Sequence, residues 1–384
     1  MGVIPKVSVL VVAGETSGEQ HAAALVREID RLSSGIRIQW FGSGSQKMSQ
    51  AGVDLLEDVS RLAAIGPWEA AGNLSSYWNL YQSILREVRL RRTRLAILVD
   101  FPDFNLRLAR RLKQAGVTVV YFIAPQVWAW RSSRVRQIRR DVDLVLAVFP
   151  FEQEYFRSRG VNALYVGNPS LERLREVEPG AGSGPQEEPL VALLPGSRIQ
   201  EVRRIFPRML DAARYAARRC QARYWVVKAP DLPLEELKEV YRSWLGRRGK
   251  PLPLEFREEE TAQVLPRTDC AIIKSGTSTL EATLLRVPFA MVYRMSWPTW
   301  IFARLLVRTR TYSLTNLVMG ERIVPEFIQW QARGRTIGRY LVRLLTQEGE
   351  RASVREKLGQ AAGRLGRQNA YREAAVQVRS YLQE

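Results

Sequence analysis

Short apolar runs recur along this chain, each followed by a glycine- or proline-containing turn and then by an amphipathic stretch. In the first half they are residues 7–13, 36–41, 95–99, 117–123 and 144–148. In the second half they are residues 190–194, 224–227, 254–256, 270–273 and 289–292. A strand that is apolar at successive rather than alternate positions is buried on both faces. The stretches between carry a helical period: Ala22, Ala23, Leu25, Val26 and Ile29 share one face. Strand, turn and helix in alternation predict an α/β fold of parallel sheets wound with helices. The chain's 384 residues exceed one ordinary core. The glycine-rich stretch 180–188 is the expected joint, giving domains 1–180 and 189–350 and a charged helical tail, 351–384.

Polar side chains collect where the strands end. After the strand at 271–273, Ser275 and Gly276 form a turn, and Thr277 or Ser278 is placed to cap a helix. A helix N-terminus suits a phosphate. Glu281, one turn further in, is placed to take two ribose hydroxyls; the plainer reading is a capping box with a solvated Glu. A second turn of this design follows residues 190–194. Pro195 ends the strand, Gly196 and Ser197 turn the chain, and Arg198 stands at the strand's C-terminal end, where open α/β sheets bind ligands. An Arg there can fork onto phosphate oxygens. Two such turns in one half of the chain point to a nucleotide diphosphate.

In the first half, Asp100 directly ends an apolar strand and is placed for general-base work. Of Asp103 and Asn105, one caps the helix from Leu106. Residues 14–19 form a polar turn after the first strand, and residues 42–45 another after the second. Trp128 and Trp130 beside Arg131 suit stacking on a sugar or an acyl chain. Residues 62–85, with Trp68, Tyr77, Trp78 and Tyr81, read as a core-facing helix. They equally fit an interfacial segment with the basic run 86–94 at the headgroup level. Asp141 and Asp143 precede their strand and so lie at the wrong end for a metal-held sugar diphosphate.

Composition narrows the class. The net charge is +19, with 46% apolar residues, eight Lys and fifty Arg. That excess favours phosphorylated substrates or an anionic lipid surface. No stretch interleaves aromatics with basic residues in a nucleic-acid motif, so no nucleic-acid partner is expected. Two distant cysteines and one histidine exclude a disulfide framework and a His-based metal site or triad. The first residues lack a signal-peptide layout, and no apolar run is long enough to span a bilayer. The expected location is cytoplasmic, peripheral to the membrane.

The motifs Ala13–Gly18, Asp100–Asn105, Val127–Arg131, Leu194–Arg198, Ser275–Glu281, and Asn316 with Gly320–Glu326 stand in an order and spacing that resemble the lipid-A-disaccharide synthase family over nearly the whole chain. The resemblance implies a GT-B fold, two Rossmann-like domains facing a cleft. It implies an inverting, metal-independent glycosyltransferase of Gram-negative lipid A assembly, without cofactor. Its donor is UDP-2,3-diacylglucosamine and its acceptor 2,3-diacylglucosamine 1-phosphate (lipid X), joined β-1,6 with release of UDP at the cytoplasmic face of the inner membrane. It puts the general base on Asp100, nucleotide contacts on Arg198, Ser275, Gly276, Thr277, Ser278, Thr279 and Glu281, and further activity on Glu15, Ser17 and Asn316. The departures are Asn168 for the family's His, Ser45-Gln46 for its Gly-Pro, and Glu19 and Ala22 for its Asp and Gly. A UDP-sugar epimerase of the same fold, or a non-catalytic lipid or nucleotide binder, are the alternatives.

Overall fold

The structure is a computed structural model describing residues 6–14, 16–58, 74–174, 176–180, 182, 188–230, 232–248, 250–306, 311–366 and 369–382. By internal contacts the chain forms two compact units, residues 1–169 with 367–384, and residues 170–366. The joint expected at 180–188 thus begins inside the second unit, where Gly180 packs so tightly on Pro266 that a Cβ would lie 1.8 Å from its carbonyl oxygen. The expected tail is shared: helix Glu348–Leu365 falls in the second unit and helix Ala370–Ser380 in the first.

The first unit is a seven-stranded sheet in the order β3-β2-β1-β4-β5-β6-β7. Its strands are β1 (Lys6–Ala13), β2 (Arg37–Gly44), β3 (Asp54–Asp58), β4 (Leu95–Val99), β5 (Thr118–Phe122), β6 (Leu144–Ala147) and β7 (Ala163–Tyr165). Every pairing is parallel. β4 and β6 are buried at each position, as their unbroken apolar runs require. Leu80, Ile84 and Val88 of helix Leu74–Leu90 and Leu108, Ala109 and Leu112 of helix Pro102–Gln114 close one face of the sheet.

The second unit is a six-stranded sheet in the order β10-β9-β8-β11-β12-β13. Its strands are β8 (Leu190–Leu194), β9 (Arg223–Val227), β10 (Leu254–Arg257), β11 (Cys270–Lys274), β12 (Phe289–Tyr293) and β13 (Glu326–Ile328), again all parallel. Helix Ile199–Ala217 covers it with Val202, Ile205, Phe206, Met209, Leu210 and Ala213, an apolar stripe of helical period.

Three local expectations are corrected. β2 continues through Gly42 and Ser43 to Gly44 instead of turning there. It can do so because Gly42, at φ 155°, lies against Val11, whose carbonyl oxygen would be 1.7 Å from a Cβ. The helix expected from Leu106 starts at Pro102 with Phe101 as N-cap, so neither Asp103 nor Asn105 caps it. Thr277 is the N-cap of helix Ser278–Leu284 but makes no side-chain cap bond, because its own backbone is already helical. β3, β7 and β13 were not expected: Asp54, Glu57 and Asp58 leave β3 only two apolar residues, and β7 and β13 have three residues each, too short to give a distinct apolar run.

Candidate active site

In an open parallel sheet the ligand crevice forms beyond the strands' C-terminal ends, where the strand order reverses. The first sheet reverses between β1 and β4, where Ala13 pairs with Val99. The second reverses between β8 and β11, where Leu194 pairs with Ile273. Asp100 stands at the first of these points and the Ser275–Glu281 segment at the second.

At the first point Asp100 follows β4 directly. Asp100 and Phe101 both have left-handed backbones, with φ 49° and 51°. Consecutive left-handed non-glycine residues are strained and persist only where neighbours over-determine them. Three bonds do so. The Asp100 N–H donates to the Phe122 carbonyl at 3.2 Å. The Asp100 carbonyl accepts from the Tyr121 hydroxyl at 2.7 Å and from Asn105 Nδ2 at 2.8 Å. Burial, then the neighbouring Asp100 charge, push the Tyr121 phenol well up, which keeps its proton in place as a donor. Gly14 lies beneath Phe101, with room for no side chain: a Cβ would stand 2.2 Å from the Phe101 ring. Gly18 passes the Asp100 Cβ at 3.5 Å by the same measure. The polar turn after β1 and the carboxylate after β4 therefore form one surface. Ser17 sits in the first turn of helix Thr16–Leu32, while Glu15 and Trp68 lie outside the described residues.

Beside Asp100 is a groove of about 400 Å³ lined by Tyr77, Trp78, Tyr81, Phe101, Phe104, Asp103 and Arg107. Trp78, 60% exposed, stacks on Tyr81 at 5.6 Å. Trp128 and Trp130 are placed differently from one another. Trp128 donates its indole N–H to Glu152 at 3.0 Å and packs edge-on against Phe151, so it anchors its loop. Trp130 is exposed, with the Arg131 guanidinium 4.4 Å over its ring. Arg131 and Arg134 both reach Asp103. Two departures from the family pattern touch each other: the Ser45 hydroxyl donates to buried Glu19. Asn168 is half-buried at the end of the first unit.

At the second point, Gly196, Ser197, Lys228, Lys274, Ser275, Gly276, Thr277, Ser278 and Glu281 line a pocket of about 230 Å³. Glu281 is only 2% exposed, facing the pocket from inside helix Ser278–Leu284. Gly196, at φ 105°, leaves room for Lys274, whose Cδ would lie 3.2 Å from a Cβ there. Lys274 Nζ stands 2.8 Å from Glu201 Oε2, both side chains under one-fifth exposed. From β9's end Lys228 reaches in, its Nζ donating to the Pro230 carbonyl at 3.1 Å. Sequence reasoning missed both lysines. Each is the last or next residue of an apolar strand, the same signal that found Asp100.

Arg198 is exposed at the N-cap of helix Ile199–Ala217 and does not line this pocket. Thr279 is buried; its hydroxyl donates to the Gly276 carbonyl at 2.7 Å and so closes the turn. Asn316 uses its whole amide internally: Nδ2 donates to the Val324 carbonyl and Glu326, and Oδ1 accepts from Ile323 and Val324 N–H. Glu326 also accepts from the Tyr312 and Ser313 N–H groups, and the Tyr312 carbonyl meets the Ser275 hydroxyl at 3.5 Å. Asn316 thus shapes the loop behind the Ser275 turn. Among the described residues no cluster of three or more His, Cys, Asp or Glu could hold a metal ion.

Known proteins resemble the chain over nearly its whole length. The model of the family described as lipid-A-disaccharide synthetase matches residues 9–379. A lipid-A-disaccharide synthase of Myxococcus xanthus is 36% identical over 380 residues, 97% of either chain. One of Nitrosococcus oceani is 35% identical over 93% of this chain and 92% of its own. Among solved structures, a UDP-GlcNAc 2-epimerase from Neisseria meningitidis bound to UDP-GlcNAc superposes with TM-score 0.60 at 12% identity, covering 99% of this chain and 100% of its own. The calicheamicin glycosyltransferase CalG4 does so with TM-score 0.54 at 16% identity, covering 99% and 98%. At such identities the two structures speak for the fold, two Rossmann-like parallel-sheet domains, and the sequence matches speak for more: this chain belongs to the lipid-A-disaccharide synthase family of glycosyltransferases.

Proposed function

We propose that the chain transfers a 2,3-diacylglucosaminyl unit from UDP-2,3-diacylglucosamine to the 6-hydroxyl of 2,3-diacylglucosamine 1-phosphate, releasing UDP. The observation that carries this reading is the convergence of Asp100 on one switch point and of a two-lysine pocket on the other. In a single inverting displacement the acceptor oxygen bonds to the anomeric carbon while the bond to UDP breaks. Asp100 takes the hydroxyl proton as that oxygen attacks. Lys274 and Lys228 meet the negative charge growing on the diphosphate, with the backbone of the Ser275–Ser278 turn beside them. Glu281 accepts from the ribose hydroxyls. The first unit serves the acceptor, its aromatic groove taking an acyl chain, and the second serves the donor.

With two ammonium groups at the leaving group, turnover needs no metal, and excess EDTA leaves it unchanged. The substrates' acyl chains put the reaction at a bilayer. No described helix is long and apolar enough to cross one, so the chain meets its substrates from the surface, peripherally, on the cytoplasmic face of the inner membrane. The deciding experiment supplies synthetic donor and acceptor and reads product mass. A disaccharide 1-phosphate with one equivalent of UDP is expected. UDP-sugar isomerised without UDP release, or no turnover, overturns the reading.

A further inference from the structure

The second unit carries a basic groove apart from the two-lysine pocket. Arg203, Arg204 and Arg208 enter it from helix Ile199–Ala217, Arg247 from helix Leu234–Arg248, and Arg294 from the segment after β12, around a volume of about 620 Å³. Its one lining carboxylate, Asp211, is occupied by the Trp244 indole N–H at 3.0 Å and by Arg208 at 3.6 Å, and Arg203 is paired with Glu236 at 3.1 Å. Neither Arg204 nor Arg294 has a carboxylate partner among the described residues. Arg294 is half-buried, and burial and the nearby Arg208 both weaken its hold on its proton. Guanidinium groups gathered this way call for a counter-anion.

The rim supplies the second observation. Three of the seven exposed large apolar side chains among the described residues, Trp297, Ile301 and Trp330, lie here together. Trp297 lines the groove and stacks on Trp330 at 6.3 Å, nearly parallel. Trp300, buried, meets Trp330 edge-on at 6.0 Å and supports it from below. Gln329 staples the two segments: its Oε1 accepts from the Met295 N–H at 2.9 Å and its Nε2 donates to the Met295 carbonyl at 3.3 Å. A fixed aromatic pad beside a cationic groove matches an interface in which phosphates lie at one level and acyl carbon just beneath.

We infer that this groove and its aromatic rim form a docking surface for the anionic headgroups of a phospholipid bilayer, so that the second unit holds the membrane independently of the acyl groove in the first. The inference rests on the reading that the substrates are met at a bilayer, and assigns a new surface to that encounter.

The test uses the full chain and vesicles of phosphatidylcholine with and without phosphatidylglycerol, over a salt series. Each basic side chain at such a surface contributes enough to change affinity about fivefold, so Arg204→Gln with Arg294→Gln weakens binding to anionic vesicles roughly thirtyfold at low salt. Binding to neutral vesicles stays as it was. Trp297→Ser with Ile301→Ser weakens binding to both, at every salt concentration. UDP affinity, unchanged in either variant, reports that the second unit is folded. Arg204→Gln alone, which removes one charge, weakens binding to anionic vesicles about fivefold and serves if the Gln pair unfolds; wild-type binding by that folded variant overturns the inference. Wild-type vesicle binding by a folded Gln pair overturns the inference. So does displacement from vesicles by inorganic phosphate beyond that by chloride at equal ionic strength, which would make the groove a soluble-anion site. Turnover of detergent-dispersed substrates separates the two readings. Turnover without vesicle binding overturns this surface alone, and vesicle binding without product overturns the transfer reading alone.

Discussion

Asp100 occupies a backbone conformation that costs about 1–3 kcal/mol, and Phe101 repeats the cost. Tyr121, Asn105 and the Phe122 carbonyl offset it. The strain aims a carboxylate off the strand end, where a regular helix start would have turned it aside. Asp100→Asn keeps the size and removes the base, so turnover falls by roughly 10²-fold or more while UDP affinity measured by calorimetry stays unchanged. A variant within threefold of wild type removes Asp100 from the mechanism. Glu152 makes a second case for single residues. Burial pushes its carboxyl up to about 7, against the bonds from Trp128, Val148 and Phe149 that favour the charge. The folded state therefore binds this proton more tightly than the unfolded chain does. Its contribution is fully present below the ordinary Glu value and is lost as pH rises towards 7. Relative to Glu152→Gln, wild-type stability in denaturant titrations should decline between about pH 4.5 and 7 by about 3 kcal/mol. A flat difference across that window would remove Glu152 as its source.

At the scale of elements, the proposed chemistry lies at strand ends. Sequence alone made much of this legible. Uninterrupted apolar runs located the longer strands, and Asp100 and the Ser275 turn stood out because each breaks such a run. Lys274 and Lys228 break runs too, but a lysine at a strand end usually snorkels to solvent. What draws both inward is strand order, which a linear pattern does not contain: β8 lies between β9 and β11, so Lys228 and Lys274 flank one turn. Nor does a linear pattern show that Arg198 is exposed outside that pocket, or that β13 sets Glu326 beside Asn316. Losing one charge-assisted contact costs about 1.5–3 kcal/mol, so Lys274→Met should weaken UDP binding by about ten- to a hundredfold. Arg198→Met, at an exposed position, should have a smaller effect. The reverse order of effects in a UDP titration would return the diphosphate to Arg198.

For the whole molecule, the arithmetic of charge and the path of the chain both matter. A net charge of +19 spread over fifty arginines looks uniform in sequence; folding concentrates part of it into a single groove. The path leaves the first unit at residue 169, builds the second, and returns at residue 367. The returning helix, Ala370–Ser380, packs on helix Thr16–Leu32, where the Tyr371 hydroxyl meets His21 Nδ1 at 2.8 Å. Ending the chain at residue 366 should therefore lower the melting temperature and impair turnover while UDP binding by the second unit persists. Equal loss of both would show the two units failing together. The returning helix also sets a schedule for synthesis. The ribosome delivers residues 370–380 only after about two hundred residues of the intervening unit have emerged. Until then the helix bearing Ser17 stands with one flank uncovered. The first unit thus reaches its finished form last although it is translated first.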